Sequence, residues 1–406
     1  MNPLDPVDFA LPVTTLTGAQ DRPFGVYVHV PFCAVRCGYC DFNTYTAAEL
    51  GGGGSRAEYP QNVDLEVEFA ARAMRERGLP NRPVSTVFFG GGTPTLMPVA
   101  ELIGMLKSIE RAWGLTADVE VTTEANPDSV TPEGLKQLAE AGFTRVSFGM
   151  QSAVPRVLAT LDRTHDPARI PLVVQWAKDA GLRVSLDLIY GTPGESVDDW
   201  RTSIETALSC EVDHISAYAL VIEQGTKMAA QVRRGVLPQT DDDDLAVKYE
   251  LADDAFTAEG LGWYEISNWA RTPADYCHHN INYWSGGDWW GIGPGAHSHI
   301  GGMRWWNVKH PSTYAQRLAG DGSGGVGSPA AGIEILDDDA RYLEDVLLQT
   351  RLASGMDFAA LRPDAIAAIG GLIEDGLVET TAAAHQRVVL TRRGRLLADS
   401  VVRALT

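Results

Sequence analysis

The chain has 406 residues, of which 45% are hydrophobic and 21% are charged, and its formal net charge at pH 7 is −20. This length suits two or three domains with a large core. The acidity argues against a nucleic-acid-binding surface, and no run of about 18 apolar residues predicts a membrane span. We expect no signal peptide, because no basic start precedes an apolar run. Five cysteines, three of them clustered, do not suit a disulfide framework, so we expect reduced thiols and a cytoplasmic location.

The first half of the chain is predicted to be an α/β unit. Residues 1–23 contain four prolines and are predicted to form a loose arm. Short apolar runs then alternate with helical patterns, which is typical of strands buried on both faces. The predicted strands are 26–30, 84–89, 119–124, 145–150, 184–189 and 214–220, and the predicted helices between them are 57–77, 100–113, 132–141, 167–180 and 197–210. Six such units predict a partial (β/α)6 TIM-type barrel over residues 24–255, with a flexible glycine loop at 51–54.

The second half departs from this alternation. Residues 241–244 are acidic and predict a solvated helix start, and residues 256–320 form an extension rich in aromatics and histidine. A Gly/Ser/Pro-rich linker is predicted at 321–331. The domain at 332–406 is predicted to contain helices at 333–351, 358–361, 365–376 and 394–405, with a hairpin of 377–380 and 387–390. This α+β pattern resembles a winged-helix unit, although the acidity of the chain argues against DNA binding.

Three cysteines form the most informative motif. Cys33, Cys37 and Cys40 have the spacing C-x3-C-x2-C directly after the first predicted strand. Thiolates select zinc, copper(I) or iron–sulfur clusters. A structural zinc site needs a fourth cysteine or histidine, and residues 41–43 supply none. Three thiolates can instead hold a cubane cluster and leave one iron open to an outside ligand. Zinc and three core thiols are the remaining alternatives.

Polar residues stand at the carboxyl ends of the other predicted strands, which is the working face of such a barrel. They are the Gly-Gly-Gly-Thr-Pro-Thr run at 90–95, then Glu124, Gln151 with Arg163, and Asp187. Each has a plain structural alternative: glycines suit tight turns, and Asp187 could pair with Arg163 in a buried ion pair. Together they predict one polar site around the cysteine loop.

These motifs resemble the radical S-adenosylmethionine (SAM) superfamily, in which the open iron of a [4Fe–4S] cluster binds SAM. From about residue 24 onward, with Tyr-Val-His-Val-Pro-Phe before Cys33, the chain resembles the oxygen-independent coproporphyrinogen III oxidase family. The resemblance implies a role for each matching residue. The cluster would be ligated by Cys33, Cys37 and Cys40, with Tyr39 beside it. The SAM sulfonium would face Tyr27, and the amino-acid end of SAM would contact Gly91, Gly92 and Thr93. The SAM pocket would be lined by Glu124, Gln151, Arg163 and Asp187, and the adenosine would contact Ala219.

A second motif lies downstream. Residues 279–284 read H-N-x-x-Y-W, which is associated with the HemW branch of this family, a branch of haem chaperones. A neutral imidazole such as that of His279 can ligate haem iron, and aromatic rings offer a flat surface to a porphyrin. Trp289, Trp290, Trp305 and Trp306 would extend that surface, His297 and His299 are weaker ligand candidates, and Cys277 is a candidate soft ligand. The alternative is that these aromatics are ordinary core residues.

Two functions follow from the resemblance. The oxidases carry a fourth cysteine where this chain has Phe42, and they have a longer N-terminal segment. The resemblance therefore favours a haem chaperone that transfers haem to apo-haemoproteins, with membrane-bound respiratory subunits as candidate acceptors and a homodimer as an open question. The alternative is the oxidase, which decarboxylates two propionates of coproporphyrinogen III. A third reading is another radical SAM enzyme with an unrecognised substrate, because fold does not fix function.

Overall fold

The computed structural model describes residues 8–50, 55–320 and 325–406. The predicted glycine loop at 51–54 lies outside these residues, as do residues 1–7 of the predicted arm and residues 321–324 of the predicted linker. Within the described part, twelve strands form one sheet. No helix there is both long and apolar enough to cross a membrane.

The elements of the structure have the following bounds. The strands are β1 Phe24–Val30, β2 Val84–Gly91, β3 Leu115–Ala125, β4 Arg145–Gln151, β5 Arg183–Tyr190, β6 His214–Ala219, β7 Gly262–Glu265, β8 Asn268–Ala270, β9 Asp288–Ile292, β10 His297–Ile300, β11 Met303–Asn307, β12 Ala330–Ile335, β13 Met356–Asp357 and β14 Arg387–Val388. The α-helices are α1 Ala47–Leu50, α2 Tyr59–Arg77, α3 Val99–Trp113, α4 Pro132–Glu140, α5 Pro155–Thr160, α6 Ile170–Asp179, α7 Val197–Ser209, α8 Lys227–Arg233, α9 Asp242–Ala258, α10 His278–Trp284, α11 Pro311–Leu318, α12 Asp338–Gln349, α13 Pro363–Glu374, α14 Thr380–Ala384, α15 Arg392–Leu396 and α16 Ala398–Leu405.

The predicted partial (β/α)6 barrel is confirmed. Strands β1 to β6 pair in sequence order and all in parallel, with helices between them. Val26, Val28 and Val30 of β1 are fully buried in the main core, which they share with Val63 and Val67 of α2. Because each strand is covered by a helix on its outer side, it needs an apolar outer face along its whole length.

The sheet extends well beyond the six predicted strands. β9 pairs in parallel with β1, and β10, β11 and β12 continue from it as antiparallel strands, while β8 and β7 extend the edge next to β6. The predicted helix at 333–351 is wrong at its start, because residues up to Ile335 belong to β12. The helix begins only at Asp338, where the Asp337 side chain accepts a hydrogen bond from the Ala340 amide.

The C-terminal residues form an α+β unit with a hydrophobic core of its own, built on α13, α16 and their neighbours. The predicted hairpin is reduced to a single bridge between Val378 and Leu390, because helix α14 occupies the connection. This unit is fixed to the barrel by Asp253 of α9, which is 3% exposed and accepts hydrogen bonds from Arg392 and Arg395. The domain boundaries given above stay predictions.

Candidate functional site

One cavity of about 670 Å³ opens at the carboxyl ends of the barrel strands. It collects every predicted site residue except Tyr27 and His279. The predicted residues that line it are Cys33, Cys37, Tyr39, Cys40, Gly91, Gly92, Thr93, Glu124, Gln151, Arg163, Asp187 and Ala219. This gathering follows from topology, because the carboxyl ends of parallel strands meet at the same edge of a sheet. The volume is within the range of small-molecule and cofactor sites.

The cysteine loop is anchored at its ends and in its middle. The Cys33 amide donates to the Tyr45 carbonyl at 3.0 Å, and the Tyr45 amide donates back to Pro31 at 2.7 Å. In the middle, the Gly38 amide donates to Leu161 at 3.3 Å, and the Gly38 carbonyl accepts from the Met228 amide at 2.9 Å. The loop is therefore held against α5 and α8 by backbone contacts that do not depend on the cysteine side chains.

The three thiols are partly exposed to the cavity and influence one another. Burial and the neighbouring thiols Cys40 and Cys37 raise the pKa of Cys33 to about 11, and burial also raises the pKa of Cys40. Across residues 8–50, 55–320 and 325–406, no three His, Cys, Asp or Glu side chains are close enough to hold one metal ion. A cubane cluster places its thiolates on separate irons, so its ligands stand further apart than those of a single ion. Cys33, Cys37 and Cys40 all line one cavity, so a cluster held by them would have one iron open to that cavity.

The glycine run joins the cysteine loop to the pocket. The Gly92 amide donates to Val30 and the Thr93 amide donates to Phe32, both at 2.8 Å. A Cβ at position 92 would lie 2.6 Å from the Phe32 carbonyl oxygen. Gly91 has a φ of 105°, and its amide donates to Glu124 Oε2 at 3.0 Å. Glycine is required here because the backbone approaches its neighbours too closely for a side chain.

Two carboxylates face the cavity in a poorly solvated setting. Burial, and then the charge of Asp187, raise the pKa of Glu124 to about 7. Burial also raises the pKa of Asp187, which accepts a hydrogen bond from Ser147 Oγ at 2.8 Å. Each would be stabilised in its charged form by a cationic ligand, because an adjacent opposite charge offsets the cost of burial. The pair suits an amine or a sulfonium.

The end of β4 carries strain and unpaired polar atoms. Gln151 has a φ of 61° beside an irregular register, and its Oε1 atom is buried without a hydrogen-bond partner. Arg163 donates to the Gly149 carbonyl at 2.8 Å and to Cys37 Sγ at 3.8 Å, while its Nε lacks a partner. The alternative of an ion pair between Arg163 and Asp187 is wrong for the described residues. Strained polar residues that point into a cavity are typical of binding sites.

The floor of the cavity is formed by residues that were not predicted from the sequence to belong to the site. Arg145 is 2% exposed and donates to the Asp275 carbonyl at 2.9 Å. His214 is held on both ring nitrogens, and Asn280 of α10 lines the floor with no side-chain partner among the described residues. Alternate residues of a strand lie on the same face of the sheet. The sequence could therefore have indicated that Arg145, Ser147 and Gly149 of β4 share the inner face of the barrel.

Tyr27 lies outside this lining. Its hydroxyl is hydrogen-bonded to His29 Nδ1 at 2.9 Å, and His29 Nε2 is hydrogen-bonded to the Asn43 carbonyl at 2.9 Å. Burial raises the pKa of Tyr27, so the phenol stays protonated. The structure therefore connects Tyr27 to the end of the cysteine loop through one imidazole, and a contact with SAM stays a prediction.

Helix α10, which carries the H-N-x-x-Y-W motif, is packed into the barrel. His279 is 1% exposed, and its ring nitrogens are hydrogen-bonded to Thr86 Oγ1 and to the Tyr283 hydroxyl, both at 2.8 Å. Burial lowers the pKa of His279 to about 3. Glu120 accepts from the His279 amide at 3.0 Å at the start of the helix. In this arrangement His279 has no free nitrogen, so ligation of haem iron would require α10 to leave the barrel.

The tryptophans divide into two groups. Trp290 and Trp305 are buried and pack edge to face with centroids 4.7 Å apart, so they are core residues. Trp289 and Trp306 are partly exposed on the other face of the sheet extension. Phe42 is 58% exposed at the cavity mouth.

The fold and the cavity define a radical SAM protein. The model of the radical SAM superfamily matches residues 27–207, which hold the cysteine loop and most of the barrel. The solved structure of coproporphyrinogen III oxidase (HemN) from Escherichia coli superimposes with a TM-score of 0.79 over 97% of this chain and 92% of that one, at 22% identity. At that identity the likeness concerns the fold.

The relatives found by sequence identify the family within this superfamily. The protein named heme chaperone HemW from Mycobacterium tuberculosis is 51% identical over 385 residues, which cover 95% of each chain. HemW from Bacillus subtilis is 31% identical over 92% of this chain and 97% of its own. The chain therefore belongs to the HemW family of the radical SAM superfamily.

Proposed function

We propose that this protein is a haem chaperone that binds a [4Fe–4S] cluster, SAM and haem and transfers the haem to apo-haemoproteins. The observation that carries the proposal is the end-to-end similarity to proteins named heme chaperone HemW, at 51% identity over 95% of the chain. Phe42 supports it, because an exposed phenyl ring stands where the oxidases have a further thiol.

The cluster and SAM would share the cavity at the barrel mouth. Cys33, Cys37 and Cys40 would hold the cluster, which when bound supplies an electron that can cleave the SAM sulfonium. Glu124 would accept from the SAM amino group, and the glycine run would leave room for its amino-acid end. The unpaired Oε1 of Gln151 supports this placement, because a ligand donor would satisfy an oxygen that is otherwise buried without a partner.

The remaining parts of the proposal concern partners and location. We place haem transfer in the cytoplasm, because partly exposed, unpaired cysteines persist in a reducing compartment. The acceptors would be apo-haemoproteins, including membrane-bound respiratory subunits. A homodimer stays a prediction.

The proposal is tested on one anaerobically reconstituted sample. We expect haem titration to give a saturable complex that passes haem to an apo-haemoprotein, and coproporphyrinogen to remain unchanged. Cys33→Ala should lose the cluster, whereas the control Cys210→Ala should keep it, because Cys210 is a buried thiol outside the cavity. Haem binding no tighter than to an unrelated acidic protein would contradict the chaperone function. Steady formation of protoporphyrinogen would establish the oxidase instead.

A further inference from the structure

The cysteines of the chain fall into two groups by what lies beside their sulfur atoms. Cys210 and Cys277 are buried, and each thiol donates to an oxygen: the Thr206 carbonyl at 3.4 Å and a carboxylate oxygen of Glu120 at 3.9 Å. The thiols of the cysteine loop instead face side chains that can donate to sulfur. This second arrangement suits thiolates, because a thiolate carries no proton and can only accept.

Arg163 donates to the sulfur of Cys37. Its Nη1 atom lies 3.8 Å from Cys37 Sγ, and its Nη2 atom donates to the Gly149 carbonyl at 2.8 Å. A guanidinium is a planar, positively charged fork of donors, so the bond to Gly149 also fixes the direction of the bond to sulfur. Arg163 therefore brings a positive charge within hydrogen-bond reach of one cysteine of the loop.

Thr44 has the corresponding position at Cys40. Its hydroxyl oxygen lies 3.9 Å from Cys40 Sγ, and the side chains of Thr44 and Thr93 also hydrogen-bond Cys33. A hydroxyl has one hydrogen and a thiolate has none, so Thr44 must be the donor when Cys40 is a cluster ligand. The competing acceptor is the Phe42 carbonyl at 3.5 Å, which is uncharged and therefore the weaker of the two.

The backbone on both sides of Thr44 is anchored, which fixes the position of its hydroxyl. Before it, the Asn43 carbonyl accepts from His29 Nε2 at 2.9 Å. After it, the Tyr45 amide donates to the Pro31 carbonyl at 2.7 Å. Thr44 is 2% exposed and does not line the cavity, so its hydroxyl is directed at the loop sulfurs from behind the site.

A donor beside a cluster sulfur acts on the reduction potential of the cluster. Reduction by one electron adds a negative charge that is shared with the thiolate sulfurs. A hydrogen bond or a positive charge at these sulfurs favours the form with more negative charge, which is the reduced form. The reduced cluster is then easier to form, and it is a weaker electron donor to the SAM sulfonium.

We propose that Thr44 and Arg163 raise the reduction potential of the [4Fe–4S] cluster by donating hydrogen bonds to the sulfurs of Cys40 and Cys37. The inference rests on the proposed cluster and adds to it a second layer of side chains. Thr44 acts through Cys40 and is therefore a positioning residue. Because Thr44 lies outside the cavity lining, its substitution leaves the residues that would contact SAM in place.

The test is a redox titration of the full-length, anaerobically reconstituted protein without SAM. Dithionite and redox mediators set the potential, and electron paramagnetic resonance measures the reduced cluster. We expect Thr44→Val, which keeps the shape of the side chain without its hydroxyl, to lower the equilibrium constant for reduction by about three- to tenfold. Tenfold corresponds to about 59 mV for one electron. Arg163→Gln should lower the constant further, because a full positive charge is lost.

Thr44→Ser and Thr202→Val are the matched controls. Thr44→Ser loses the methyl group and keeps the donor, so its potential should stay close to that of the unchanged protein. Thr202→Val removes an exposed hydroxyl that donates to the Asp198 carbonyl of its own helix at 2.9 Å, and it should leave the potential unchanged. A purely packing role of Thr44 would not separate the serine variant from the valine variant in this way.

The outcomes that overturn the inference are distinguishable. If the unchanged protein assembles no cluster, the proposed cofactor fails together with this inference. If it assembles a cluster and Thr44→Val keeps the same potential, or if Thr44→Ser shifts it equally, only the inference fails. If Thr44→Val alone assembles no cluster, the hydroxyl holds the loop and does not set the potential. Iron and sulfide analysis and circular dichroism of each variant establish which case applies.

Discussion

Gly92→Ala tests whether the close approach of two backbone segments builds the cofactor pocket. A Cβ at this position would lie 2.6 Å from the Phe32 carbonyl oxygen and 2.8 Å from the Val30 carbonyl oxygen. Ordinary contacts of a methyl group are longer by more than half an ångström, and both neighbours are backbone atoms that cannot rotate away. Gly92 has no left-handed φ, so the effect is purely steric. Overpacking of this kind costs about 1–3 kcal/mol.

The steric overlap caused by Gly92→Ala should also displace the cysteine loop. The two carbonyls that the new methyl group would displace also accept the Gly92 and Thr93 amides, and they immediately precede Cys33. We therefore expect Gly92→Ala to lower the free energy of unfolding in urea and to lower iron and sulfide content after reconstitution.

Gly104→Ala is the matched control. Gly104 lies in α3 on the exposed side, and nothing stands within 4 Å of its added Cβ. That substitution should stabilise the protein by about 0.5–1 kcal/mol, because alanine favours a helix over glycine. Equal stability and full cluster content in Gly92→Ala would refute the steric reasoning.

Three further predictions concern buried polar groups. SAM should bind more tightly near pH 8 than near pH 6, because the ionised fraction of Glu124 rises through its pKa of about 7, and Glu124→Gln should bind weakly at both pH values in calorimetry. Asp253→Asn should destabilise the protein by about 3–5 kcal/mol and speed proteolysis of the C-terminal unit, because the buried guanidinium of Arg395 loses its charge partner. His279→Ala should cost about 2–4 kcal/mol in urea unfolding, because it leaves a cavity and a buried Thr86 hydroxyl without its partner.

Each of these predictions has a control on the surface. Glu133→Gln changes an exposed carboxylate of α4 and should leave SAM affinity and its pH dependence unchanged. Asp339→Asn breaks an ion pair in which the aspartate is 85% exposed and should cost about 0–1 kcal/mol. His278→Ala, next to His279 but exposed, should be close to neutral. SAM affinity that does not vary with pH, or buried and surface variants of equal stability, would contradict the assignments.

The sequence by itself determined the barrel and the composition of its mouth. Alternating apolar runs and helical patterns can be recognised locally in the sequence. Six consecutive strand–helix units predict a parallel sheet with right-handed crossovers. Once the strands are parallel, Cys33, Glu124 and Asp187 must come together at one edge, although they are far apart in the chain. Their convergence in one cavity therefore needed no knowledge of side-chain packing.

Only the tertiary structure decided which of the downstream aromatic and histidine side chains are exposed and which are buried and hydrogen-bonded. In the sequence His279 is the stronger ligand candidate and His297 a weaker one, yet His279 has both ring nitrogens hydrogen-bonded inside the barrel, whereas His297 is exposed beside Trp306. The difference arises from the pairing of β9 to β12 with the edge of the barrel, which the local pattern at β12 did not reveal. Exposure and hydrogen bonding depend on partners distant in sequence, such as Thr86 for His279, so residue type alone could not assign them.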